Sequence, residues 1–293
     1  MRSLLFVPAD QPGKLAKALG CGADAVILDL EDSVAPGRKE AARADAAAFI
    51  RNAAATPARP RLIVRVNALG TELADADLDA VVAARPDAVM LPKAEGAVSV
   101  VHLDAKLTAR EALAGIPEGA IAVIALATET ARSLFVTGSY KDASPRLSAL
   151  TWGAEDLASD LGAEANRDPE GRFLDTFRLA RALCIAGAAN AGVPAIDTVY
   201  VDFRNEAGLR RECEEARRDG FTAKLAIHPG QIATINEVFT PSPQAVAAAQ
   251  AVVAAFAAAP QSGVVSIAGM MYDRPHLTQA ERLLSRARAA GVA

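Results

Sequence analysis

Short, largely apolar runs alternate along the chain with longer Ala-rich stretches in which polar residues recur at helical spacing. Such runs are what strands covered on both faces require. Eight stand at Leu4–Val7, Ala25–Leu30, Leu62–Val66, Ala88–Leu91, Ala120–Ala125, Leu147–Trp152, Ala195–Val201 and Lys224–Ile227. Between them, segments such as Arg38–Ala54 and Phe173–Ala191 predict helices. Alternating β and α units imply a parallel sheet. Eight of them between residues 4 and 227 fit a closed (β/α)8 TIM barrel, whose usual size is roughly 250 residues. The rhythm stops near Thr240. Pro241-Ser242-Pro243 interrupts it, Gln244–Ala259 predicts a helix, Gly263–Met271 a short strand pair, and Leu277–Ala290 a last helix. The expected organisation is a barrel over residues 1–240 and a C-terminal extension over 241–293, too small to be an independent domain.

An open doubly wound sheet is the competing architecture. Its support is Gly20-Cys21-Gly22-Ala23-Asp24-Ala25, a nominal GxGxxA. That fingerprint must follow a strand and open a helix. Here it precedes a strand and follows a helix, so the glycines suit helix C-caps and a dinucleotide is not expected.

Composition narrows the partners. Of 293 residues 52% are hydrophobic and 23% charged, ordinary for a globular chain, and the formal charge of -4 argues against a polyanion-binding surface. Aromatics at 4% leave little for stacking on single-stranded nucleic acid. Cys21, Cys184 and Cys213 form no CxxC and no even set, which favours reduced thiols in a cytoplasmic protein. The apolar run in MRSLLFVPADQPGK is too short for a signal sequence or a membrane span.

In barrel enzymes the site lies at the C-terminal ends of the strands. Those ends are polar throughout this chain: Asp29, Glu31 and Asp32 after the second strand, Arg65 and Asn67 at the third, Lys93 at the fourth. Glu129 follows the fifth, Glu155 and Asp156 the sixth, Asp197 and Asp202 mark the seventh, and His228 the eighth. Some have plainer uses. Asp32 or Ser33 suits the cap of the helix beginning near Pro36, Lys93 an ordinary loop, His228 a structural place before Pro229. His102 and His276 suit surface or packing positions, and Trp152 the core. Glu129 and Asp156 have no neighbour in sequence to neutralise them.

Carboxylates gathered without His or Cys suit a hard cation with oxygen ligands. Mg²⁺ commonly takes one or two of them and leaves the remaining positions to water and substrate. Zinc spacings, a nucleophile elbow and a P-loop are absent; an imine formed on Lys93 stays open. A cation with Arg65 beside it suits a substrate bearing a carboxylate next to a hydroxyl or keto oxygen, and C–C bond making or breaking beside a carbonyl.

Several motifs in order then carry a resemblance: RSLLFVPA, DLEDSV, RVNALGTE, LPKAE, ATET, WGAEDL, DTVYVDFRNEAGL, KLAIHPGQI and VVSIAGMMYDRPHL. Over nearly its whole length the chain resembles the citrate lyase beta subunit family, which includes malyl-CoA and citramalyl-CoA lyases. The resemblance implies a Mg²⁺-dependent lyase acting on a 3-hydroxyacyl coenzyme A thioester by retro-Claisen cleavage. It implies Glu129 and Asp156 as direct metal ligands and Glu31 and Asp32 as an outer shell. Arg65 would bind the carboxylate or enolate region, the backbone of Gly153, Ala154 and Glu155 the substrate carboxylate. Asp273 would move the proton at the enolate carbon of a neighbouring subunit in a trimer or hexamer, and Asp32 joins it in the catalytic set. Arg2 and Lys14 are candidates for the coenzyme A phosphates. The chain departs from the family at Thr128 and Tyr272, where aliphatic residues are common. Related metal-dependent pyruvate aldolases carry Glu-His where this chain has Glu31-Asp32, which favours the thioester branch. A pyruvate aldolase acting on a free keto-hydroxy acid, and a citrate lyase subunit acting on an acyl carrier protein thioester, remain alternatives.

Overall fold

A computed structural model describes residues 1–293. Its strands are β1 (Ser3–Pro8), β2 (Ala25–Asp29), β3 (Arg61–Arg65), β4 (Ala88–Leu91), β5 (Ala122–Leu126), β6 (Leu147–Thr151), β7 (Ala195–Asp197) and β8 (Ala223–Ala226). They close into one barrel in sequence order, every neighbouring pair parallel and β8 returning to β1. The helices outside are α1 (Pro12–Ala18), α2 (Lys39–Ala53), α3 (Leu73–Val81), α4 (Ala97–Leu113), α5 (Ala131–Leu134), α6 (Ala154–Leu161), α7 (Asp175–Ala191), α8 (Glu206–Asp219) and α9 (Ile232–Phe239).

Strand alternation builds two layers. Leu4, Ala25, Ile27, Ile63, Met90, Ile124, Leu126, Ala149, Ile196 and Leu225 point inward and fill the barrel. Residues of the other parity, among them Leu5, Val26, Val64, Val89 and Leu150, join a larger core between barrel and helices. Strands buried on both sides have no polar face to show, so they read as apolar runs rather than as alternation. In α2 the buried positions Ala42, Ala46, Ala47, Ile50 and Ala53 fall at helical spacing, which sets one apolar stripe against the sheet.

Beyond Thr240 come α10 (Pro243–Ala258), the antiparallel hairpin β9 (Val264–Ile267) and β10 (Met270–Asp273), and α11 (Arg274–Ala289). The two helices pack on each other through Val246, Val252, Phe256, Ala280 and Leu284, a core of their own with no barrel residue in it. Met270 and Met271 stay about 60% exposed, on a hairpin that its own barrel does not cover. No helix is long and apolar enough to cross a membrane.

Candidate functional site

Strand register begins the site. Asp29 and Arg65 are Cα partners at the ends of β2 and β3. Arg65 Nε and Nη2 each donate to an Asp29 oxygen at 2.8 Å. The guanidinium lies over the Phe6 ring, 4.8 Å from its centre, and Nη1 is 2.9 Å from Glu31 Oε2. Held on three sides, the fork is fixed in place at the strand ends. Burial alone would weaken the guanidinium's hold on its proton; Asp29 and Glu31 more than reverse that. Burial likewise pushes the Asp29 carboxyl up, and Arg65 brings it below the usual range.

The turn after β2 is tied from two directions. Asp29 accepts from the Glu31 and Ser33 backbone N–H groups at 2.9 and 3.2 Å. Lys39, the first residue of α2, donates its ammonium to the carbonyls of Leu30 and Glu31 and to Asn67 Oδ1 at 2.6, 2.7 and 2.9 Å. Glu31 is thereby buried with its carboxylate facing the mouth, while Asp32 stays exposed. Glu31 Oε2 makes no hydrogen bond, since its contact with Arg65 Nη1 is out of line for one.

Glu129 follows β5 and is 2% exposed. One oxygen accepts the Lys93 backbone N–H at 2.7 Å. Lys93 adopts a left-handed conformation, φ 50°, to present that N–H, a strain typical of functional positions. Burial, with Asp156 and Glu31 nearby, pushes the Glu129 carboxyl up to about 8. Its other oxygen faces Gly153: a Cβ there would lie 2.6 Å from Glu129 Oε1. Gly153 has ordinary extended dihedrals, so glycine is required by this close approach and not by backbone strain.

Gly153 caps α6, whose first turn carries Glu155 and Asp156. Asp156 Oδ1 lies 3.2 Å from the Lys93 ammonium, which also donates to Glu31 Oε1 at 2.7 Å and stands 3.7 Å from Asp32. Burial opposes the charge on Lys93, but Glu31 and Asp156 strengthen it. Lys93 is thus an ion-pair partner shared by the acids around it.

Five carboxylates, Asp29, Glu31, Asp32, Glu129 and Asp156, thus face two cationic side chains, Arg65 and Lys93. A buried carboxyl that neighbouring acids force toward its neutral form is short of positive charge. This donor set is all oxygen and fits a hard dication with few protein ligands.

The other expected residues divide. Ala154 is buried at the start of α6, and Glu155 accepts from Asn166 Nδ2 at 2.9 Å. Lys14 lies exposed on α1, at the mouth end of β1. Arg2 is a correction. It precedes β1, at the opposite end of the barrel from the acid cluster, where Nη2 pairs with Asp24 at 2.8 Å and Nη1 donates to Thr240 at 2.9 Å. Asp273 is not brought to the mouth of its own chain. It ends β10, caps α11 in a capping box with His276, and is half-exposed. His228 caps the turn before α9, accepting from Gly230 at 3.1 Å and stacking on Phe203. Asp197 points away from the mouth and binds Trp152 and Lys224. Sequence reasoning missed the service of Asp29 and Lys39. For Asp29 a signal existed, an acid and an arginine ending adjacent strands in register; for Lys39, one among several basic residues on α2, there was none.

The profile of the HpcH/HpaI aldolase/citrate lyase family matches residues 2–229. The citrate lyase subunit beta-like protein of Mycobacterium tuberculosis is 38% identical over 284 residues, covering 97% of this chain and 94% of that protein. The (3S)-malyl-CoA thioesterase of Cereibacter sphaeroides is 36% identical, with 98% and 95% covered. Among solved structures, CitE from Mycobacterium tuberculosis in complex with magnesium, acetoacetate and coenzyme A superposes with a TM-score of 0.77 at 36% identity, covering 98% of both chains.

Proposed function

The chain belongs to the HpcH/HpaI aldolase/citrate lyase family, and we propose that it is a Mg²⁺-dependent lyase that cleaves or forms the C2–C3 bond of a 3-hydroxyacyl-CoA thioester of the citryl, malyl or citramalyl type. The observation that carries this is Glu129, buried beside Asp156 and Glu31 in a mouth where acids outnumber cations. The magnesium and coenzyme A bound by the tuberculosis relative support the same choice of metal and thiol.

Glu129 and Asp156 would hold the cation, with Glu31 and Asp32 as outer carboxylates. Bound there, Mg²⁺ supplies Lewis acidity toward a carboxylate and its neighbouring oxygen. In the cleavage direction the 3-hydroxyl gives its proton to a carboxylate at the mouth, for which the exposed Asp32 is the candidate, C2–C3 breaks, a carbonyl forms at C3 and the electron pair passes into the thioester enolate. Protonation at C2 completes the acyl thioester. Arg65, immobilised by Asp29, offers a donor that need not reorient as enolate charge grows. The first N–H groups of α6, from Gly153 to Glu155, have no helical partners and suit the substrate carboxylate. Lys14 at the rim suits the coenzyme A phosphates. Asp273, away from the mouth of its own barrel and half-exposed beside His276, suits proton transfer at C2 from a neighbouring subunit, a task commonly worth roughly 10²–10⁴-fold.

Glu129→Gln and Asp156→Asn are each expected to abolish Mg²⁺-dependent cleavage with circular dichroism and Tm preserved. Turnover at the wild-type rate by these variants in the presence of chelator would sink the proposal. The thioesterase relative favours a second reading, hydrolysis of the thioester. Products separate the two: an acyl-CoA with an oxo acid for the lyase, free coenzyme A with an intact hydroxy acid for hydrolysis.

A further inference from the structure

Behind the wall of the mouth lies a closed circuit of side chains that the reaction does not touch. Lys224 of β8, fully buried, donates to Asp197 Oδ2 at 2.7 Å and Glu212 Oε1 at 2.8 Å. Glu212 Oε2 pairs with Arg167 at 2.7 Å. The Arg167 guanidinium lies 3.6 Å above the centre of the Phe173 ring. Phe173 packs edge-on against Trp152 with centroids 5.0 Å apart. The Trp152 indole N–H closes the circuit by donating to Asp197 Oδ1 at 2.8 Å. Burial alone would push the Asp197 carboxyl up, but Lys224 and Arg181 bring it below its usual range.

Buried charges are costly and persist when every member is paired. This circuit spans β6, β7, β8, α8 and the turn between α6 and α7, and a packed apolar patch of the same volume would serve stability as well. What it fixes is the indole. Trp152 directly precedes Gly153, whose backbone is pressed so closely on Glu129 that no Cβ fits. Because the two residues are consecutive, the seat of the indole and the approach of Gly153 to Glu129 are set by one stretch of backbone, which continues into Asp156.

We propose that Asp197, braced by Lys224, is a positioning residue: through the Trp152 indole it sets the distance between Glu129 and the Gly153–Asp156 segment, and hence the affinity of the mouth for Mg²⁺. The inference rests on the function proposed above, in which those two elements hold the cation and the substrate carboxylate.

Trp152→Phe keeps an aromatic ring beside Phe173 and every charge paired, and removes the N–H donor. By calorimetry with Mg²⁺ alone, its dissociation constant is expected to rise three- to tenfold. KM for the thioester should rise with it, while kcat at saturation falls less than threefold. Asp197→Asn should weaken Mg²⁺ binding similarly and shift the emission of Trp152, the only tryptophan in the chain. The double variant should be no weaker than the worse single one, as for links of one chain. Leu107→Ala, buried in α4 outside the circuit, should lower Tm at least as far and leave Mg²⁺ affinity within twofold. Unchanged Mg²⁺ affinity in Trp152→Phe, additive effects in the double variant, or equal weakening in Leu107→Ala would each overturn the positioning role. A wild-type protein that binds no Mg²⁺ would overturn the function beneath it, which separates the two failures.

Discussion

At the residue scale Glu129 has a measurable signature. Its carboxyl is raised to about 8 in the folded protein, against an ordinary value near 4.5, so between those values the metal-free folded state holds a proton that the unfolded chain has lost. Stability of the metal-free protein is therefore expected to fall as pH rises from about 4.5 to about 8 and to level off above. Cation binding requires the carboxylate, so Mg²⁺ should weaken by up to about tenfold per pH unit below 8 and release close to one proton. Calorimetry at pH 7 in buffers of different ionisation enthalpy reads that proton directly; binding with no proton release would refute it. Glu129 and Asp156 were visible in sequence as acids at strand ends without neighbouring counter-charges. The use of Asp29 as the clamp on Arg65, and of Lys93 as the ammonium between Glu31 and Asp156, depends on side-chain direction, which strand position alone does not set. Arg2 failed as a ligand candidate because a basic residue before a strand lies at the wrong end of a parallel barrel.

At the element scale, strands and helices were legible because both obey short-range periodicities. The eight apolar runs became the eight barrel strands, and Arg38–Ala54 and Gln244–Ala259 matched α2 and α10 to within a residue or so at each end. The longest discrepancy is Ala195–Val201, of which only Ala195–Asp197 pairs as a strand; Thr198 to Val201 leave the sheet to form the loop where Tyr200 receives Gln231. The separate core of α10 and α11 could not be read, because apolar stripes on two helices do not say whether they meet each other or the barrel. It has a consequence for truncation. A chain ending at Thr240 loses no residue of the two barrel cores, and is expected to keep Mg²⁺ binding and a Tm within a few degrees. Thioester turnover should fall by roughly 10²–10⁴-fold with the loss of Asp273. Full activity in the truncated chain would remove Asp273 from the mechanism.

At the scale of the whole molecule, Asp273 and Glu129 stand on units that share no core, and the exposed Met270 and Met271 give the hairpin an apolar face to dock elsewhere. If that docking is onto a second copy, mixing inactive Asp273→Asn with inactive Glu129→Gln subunits should restore part of the activity, since some mouths then receive a sound acid and a sound ligand set. No recovery after verified subunit exchange would count against a shared site. Even with Glu129 protonated, the acids Asp29, Glu31, Asp32 and Asp156 outnumber Arg65 and Lys93 at the metal-free mouth, and this bears on the sequence of encounters. A malyl or citryl thioester brings a carboxylate and the phosphates of coenzyme A, all repelled by a mouth that has not yet taken up its metal. The expected order of loading is metal before thioester. In initial-rate kinetics this appears as an apparent Mg²⁺ constant that falls toward zero as the thioester saturates, because binding of the second ligand draws the first onto the protein; an apparent Mg²⁺ constant independent of thioester would refute the order.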